Sequence, residues 1–85
     1  MRSYDMIRIA KKTRLTPEEI IAKASRFFGS AGEGLEEKER GLCCISFASA
    51  AGYVTVSVVE QEGRRMVDVE SREFEYQTKN FVNIL

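Results

Sequence analysis

Between residues 41 and 59 apolar and small polar side chains alternate, and no charge interrupts them. Period two is the mark of a strand with two different faces. Residues 42–48 and 53–61 read as two strands joined by Ser49-Ala50-Ala51-Gly52, with Gly52 expected to take a positive φ. A two-residue turn at Glu62-Gly63 starts a third strand. The four-residue loop pairs Ala48 with Tyr53, Phe47 with Val54, Ser46 with Thr55 and Cys44 with Ser57. The tighter turn pairs Val59 with Met66, Val58 with Val67 and Val56 with Val69. Both registers put Cys43, Ile45, Phe47, Val54, Val56, Val58, Val67 and Val69 on one apolar face. A slip of one residue in either hairpin would destroy that agreement.

The flanks follow other periods. Residues 3–12 read as a first strand, with Ile7 and Ile9 on one side and Met6 and Arg8 on the other. From Thr16 the period becomes helical. Thr16 is a cap, Pro17 occupies the first helical position and Glu19 completes a capping box. Ile20, Ile21, Ala24, Phe27 and Phe28 then form an apolar stripe, and Gly29 is expected to end the helix in the left-handed conformation. Residues 30–40 are charged and rich in glycine, and a short edge strand is expected near 35–38, where charge discourages sheet-to-sheet aggregation. Phe74, Phe81 and Leu85 recur at helical spacing in a final helix, with Ser71 as its expected cap.

The expected fold is therefore α+β: a single antiparallel sheet of four or five strands with two helices packed on one face, in the order β-α-β-β-β-β-α. The 85 residues are read as one domain, 1–85. A chain this short buries little surface by itself, and a second subunit is a common remedy.

The 19-residue uncharged run raises the question of a membrane span. Its serines, its turn and its period of two argue against one. The first residues lack an apolar signal core, so the expected compartment is the cytoplasm, with reduced thiols and no membrane partner. Thirteen basic and thirteen acidic side chains cancel. They are unevenly placed: residues 1–15 hold five basic groups against Asp5, and residues 60–85 hold four basic groups against six acidic ones. Zero net charge argues against a nucleic-acid partner. A double-stranded-RNA-binding helix would present a lysine cluster, but the final helix offers only Lys79.

Candidate chemistry is sparse. With no histidine there is no histidine base or triad, and Gly29, Gly32 and Gly34 match no phosphate-binding loop. Cys43 and Cys44 lack the spacing of a metal site. Adjacent Cα atoms are also too close for a relaxed disulfide. On a strand the two side chains point to opposite faces, so Cys43 is expected in the core and Cys44 on the second face. No cofactor, metal or enzymatic activity is expected. Lys11, Lys12 and Arg14, just before the helix start, are a possible anion-binding group, with a solvated strand end as the plainer alternative.

The second sheet face reads Cys44, Ser46, Ala48, Tyr53, Thr55, Ser57, Val59 and Met66, with Asp68, Glu70 and Arg72 toward its edges. A wet face usually carries Lys, Glu and Arg, and a buried one large aliphatics. Small neutral residues suit a surface covered by a second copy or a protein partner. The plainer alternative is a wet face using Ser and Thr for β propensity. Cys44, Ser46, Tyr53, Thr55, Ser57, Val59 and Met66 are thus the candidate contact residues of a self-associating binding module, with a homodimer as the expected state. The alternative function is binding of a small apolar ligand between helices and sheet, against Phe27, Phe28, Phe47 and Phe81.

The element order resembles the half-repeat of the TATA-box-binding-protein fold. Its wording around "RFFG", "AGYVTVSVVE" and "VESREFEYQTKNFV" is similar to a set of short uncharacterised prokaryotic proteins. A second resemblance is to a shortened helix-grip domain of the polyketide-cyclase/START type. These resemblances imply a sheet with helices on one face and imply no activity. The half-repeat's DNA-reading face uses inserted phenylalanines and basic or amide side chains, whereas Ser46, Thr55 and Ser57 stand on the matching face here.

Overall fold

The computed structural model describes residues 6–85. Its elements are β1 (Met6–Lys12), α1 (Pro17–Phe28), β2 (Glu36–Arg40), β3 (Cys44–Ala48), β4 (Tyr53–Gln61), β5 (Arg64–Arg72) and α2 (Glu75–Asn83). The expected first-strand residues 3–5 lie outside the described residues. The five strands form one antiparallel sheet in the order β1-β5-β4-β3-β2, and the α+β order is the one expected.

Both central registers agree with the sequence pattern. Ala48 faces Tyr53, Phe47 faces Val54 and Cys44 faces Ser57. Val59 faces Met66 and Val56 faces Val69. Glu62 and Gly63 have φ of 54° and 79°, the backbone that matches a two-residue turn to the twist of its strands. β1 adds to the far side of β5, pairing Ile9 with Val69 and Lys12 with Met66.

Both helices lie on the face formed by Ile45, Phe47, Val54, Val56, Val67 and Val69. Ile20, Ala24 and Phe28 of α1 and Phe81 of α2 are fully buried against it in one cluster. α1 lies over β3 and β4, and α2 over β1 and β5. The α1 capping box is complete: the Glu19 N–H donates to Thr16 Oγ1 at 3.1 Å, and the Thr16 N–H to Glu19 Oε1 at 2.8 Å.

Several local expectations are corrected. Gly29 is not left-handed, having φ −77°. Its N–H bonds the Ser25 carbonyl, and a Cβ there would come within 2.4 Å of that oxygen. Gly34 takes the positive φ instead, at 81°. Gly52 also lacks a positive φ; glycine is needed there because a Cβ would sit 2.1 Å from the Arg72 carbonyl oxygen across the sheet. The edge strand runs later than 35–38, because Leu35 turns inward and is buried. A bulge then interrupts its register between Glu37 and Glu39. Ser71 does not cap α2. It is a buried residue of β5, and the cap position is Phe74, which makes no side-chain cap bond.

Candidate functional site

The strand pleat puts Cys44, Ser46, Tyr53, Thr55, Ser57, Val59 and Met66 on the face opposite the helices. Among the described residues no element covers this face. Its central side chains are nevertheless half-buried, from Cys44 and Ser46 through Tyr53, Thr55 and Ser57 to Met66, while Val59 is 45% exposed.

The register places charge at both sides of the neutral strip. Arg8 and Lys12 project from β1 on this face, in line with Glu70 and Met66 of β5. On the opposite edge Glu36 and Glu39 of β2 stand beside Ala48 and Ser46. Within the face, Arg8 makes a forked bond to Asp68, with Nε 3.0 Å and Nη2 2.6 Å from Oδ2. The Tyr53 hydroxyl donates to Glu70 Oε2 at 2.8 Å and lies 3.1 Å from Met6 Sδ. That bond to Glu70, followed by desolvation and the Glu70 charge, raises the Tyr53 pKa above the usual tyrosine value.

The expected anion group does not stay together. Lys11 turns to the helix side, where its Nζ donates to the Val82 carbonyl at 3.0 Å near the C-terminal end of α2, a favourable place for a cation. Lys12 and Arg14 instead line an open cleft of about 570 Å³ with Thr13, Leu15, Gly63, Arg64, Arg65 and Leu85. Arg65 is committed there, to Glu60 at 2.8 Å and to the Leu15 carbonyl at 2.8 Å. Arg64 and Arg65 were missed in the sequence because they join Lys12 only through the β1–β5 pairing. The available signal was their place just after the hairpin glycine.

Phe27, Phe28, Phe47 and Phe81 pack on one another at centroid distances of 4.9–5.6 Å. Phe28, Phe47 and Phe81 are fully buried in the core.

The cysteines depart furthest from expectation. β3 begins at Cys44, so Cys43 lies in the preceding bend, outside the pleat. Cys43 is exposed rather than in the core, and its Sγ lies 2.7 Å from that of Cys44. The hydrogen bond with Cys44, with desolvation and the Cys44 charge behind it, raises the Cys43 pKa above the usual thiol value. Among the described residues no cluster of three or more Cys, Asp or Glu side chains could hold a metal ion, and no helix is long and apolar enough to cross a membrane. No family model matches the chain, and no curated protein or solved structure matches it with significance.

Proposed function

We propose that this protein is a non-catalytic binding module of the cytoplasm that pairs with a second copy of itself through the helix-free sheet face. The observation that supports this is the neutral, half-buried strip along β3 and β4, with charged residues at both sheet edges. A neutral centre within a charged rim is the usual anatomy of a protein interface.

The charge arrangement also favours one geometry. A two-fold axis parallel to the strands places the β1 edge of one copy over the β2 edge of the other, so Arg8 and Lys12 lie opposite Glu36 and Glu39, with Arg8 already paired to Asp68 and Glu36 to Lys38. An axis across the strands would put β1 over β1 and oppose like charges. Five strands at about 4.8 Å spacing and about 25 Å long give a projected area of about 600 Å². Side chains standing above that plane bring the covered surface toward the about 800 Å² per partner of ordinary interfaces. The half-TATA-box-binding-protein likeness is compatible with this reading, since it too leaves one sheet face free. The apolar-ligand alternative has less support, because its four phenylalanines fill the core against one another.

Sedimentation velocity from about 10 µM to about 1 mM, a span that covers weak interfaces, tests the proposal. The wild-type chain is expected to reach a dimer within this range. Ser57→Lys, which adds a charge at the centre of the strip without touching the helix side, is expected to remain monomeric with an unchanged far-UV spectrum. A wild-type monomer throughout the range would overturn the proposal.

A further inference from the structure

Where the bend after β2 enters β3, two free thiols stand side by side. It is fixed by two backbone bonds: the Gly41 N–H donates to the Cys44 carbonyl at 2.8 Å, and the Val58 N–H to the Cys43 carbonyl at 2.8 Å. The backbone that carries both sulfurs is therefore held before any ligand arrives, which lowers the ordering cost of binding. They border an open depression of about 520 Å³, together with Glu39, Arg40, Ser46 and Thr55.

The chemistry open to this pair is narrow. A structural zinc site takes four ligands, and only two sulfurs are here, with no metal-binding cluster among the described residues. Direct bonding of the sulfurs is strained, because adjacent Cα atoms are about 3.8 Å apart and relaxed disulfides need about 4.4–6.8 Å. A single soft atom bridging both sulfurs avoids that strain. Linear two-coordinate cations hold their sulfurs on opposite sides. A pyramidal trivalent metalloid holds them on the same side, as Cys43 and Cys44 are held.

We propose that Cys43 and Cys44 form a dithiol capture site for trivalent arsenic compounds and their chemical equivalents. In the reaction, an arsonous acid R–As(OH)₂ exchanges both hydroxyls for sulfur. Two As–S bonds form and two As–O bonds break, each thiol proton leaves with a hydroxyl as water, and arsenic remains trivalent. The second bond closes within the chain, so it benefits from the high effective concentration of a tethered partner.

The test uses phenylarsine oxide, hydrated in buffer, with the full chain at about 1 µM and intact-mass detection. One aryl-arsenic per chain is expected, with a mass lacking both hydroxyls. The adduct should survive excess 2-mercaptoethanol and be removed by dithiothreitol. Cys43→Ser and Cys44→Ser should each weaken retention by about 100-fold or more, the scale of a lost second attachment. At about 1 µM the chain lies below the range in which pairing is expected, so this result is independent of self-association. Stripping of the wild-type adduct by the monothiol, or equal retention by either single-cysteine variant, would overturn the proposal.

Discussion

Thr78 and Ser71 offer a direct measure of how this small core is held. Both residues are fully buried, and neither hydroxyl oxygen has a hydrogen-bond partner. A buried polar group left unsatisfied costs about 1–3 kcal/mol. Thr78 is the more informative, because α2 is only nine residues long, lacks a side-chain cap and is anchored by Thr78, Phe81 and Val82. Thr78→Val keeps the branched shape, removes the unsatisfied hydroxyl and adds a methyl group to the core. The expected gain is about 1–2 kcal/mol, or about 5–15 °C in Tm for a chain of this size. Ser71→Ala leaves a small gap where the hydroxyl stood, so its gain should be about 1 kcal/mol or less. Urea unfolding followed by circular dichroism, at one low protein concentration, reads both variants and tests for an unchanged slope. A loss of more than about 1 kcal/mol in Thr78→Val at unchanged slope would refute the reasoning. It would mean that the hydroxyl is bonded in solution, for instance to the Phe74 carbonyl that already accepts the Thr78 N–H at 2.9 Å.

Two further predictions concern backbone and pH. Glu62 and Glu73 have φ of 54° and 74°, a region costing residues with a Cβ about 1–2 kcal/mol. Glu62→Asn and Glu73→Gly should therefore each raise stability by up to about 1 kcal/mol in the same urea assay; a loss in both would show that neither position is strained. Tyr53 has a raised pKa in the folded chain because its hydroxyl bonds Glu70. Its stabilising contribution is thus complete below the unfolded tyrosine pKa of about 10 and is lost as pH rises through the folded value. Phenolate absorbance should show one late-ionising tyrosine that Tyr53→Phe removes. An unchanged titration in that variant would contradict the bond to Glu70.

Much of the fold was legible because its determinants are local. Thr16, Pro17 and Glu19 specify a helix start within four residues. The alternation on both sides of Ser49–Gly52 and of Glu62-Gly63 fixes two registers at once, since any slip would turn apolar residues outward. Ser71 was misread because a serine before a helical period looks like a cap. β5 extends through Ser71 to Arg72, and burial there depends on α2 packing over the strand. The neutral face was legible as a set of residues. Of its charged rims, the β2 edge was legible as a charged strand, whereas the β1 edge was not, because it depends on which strand adds to β5.

The sequence by itself determined the element order, the central hairpins, the α1 cap and the division of the sheet into an apolar and a neutral face. These rest on contacts between residues near in the chain and on a strand period that admits one register. Tertiary structure decided the rest. It brought Arg64 and Arg65 to Lys12 and carried Lys11 away to α2. It required glycine at position 52 because the Arg72 carbonyl passes close by. It also set the start of β3 at Cys44, which left Cys43 outside the pleat and brought the two thiols together. Distances between remote segments, and the point where a pleat begins, follow from packing the whole chain, and no local period encodes them.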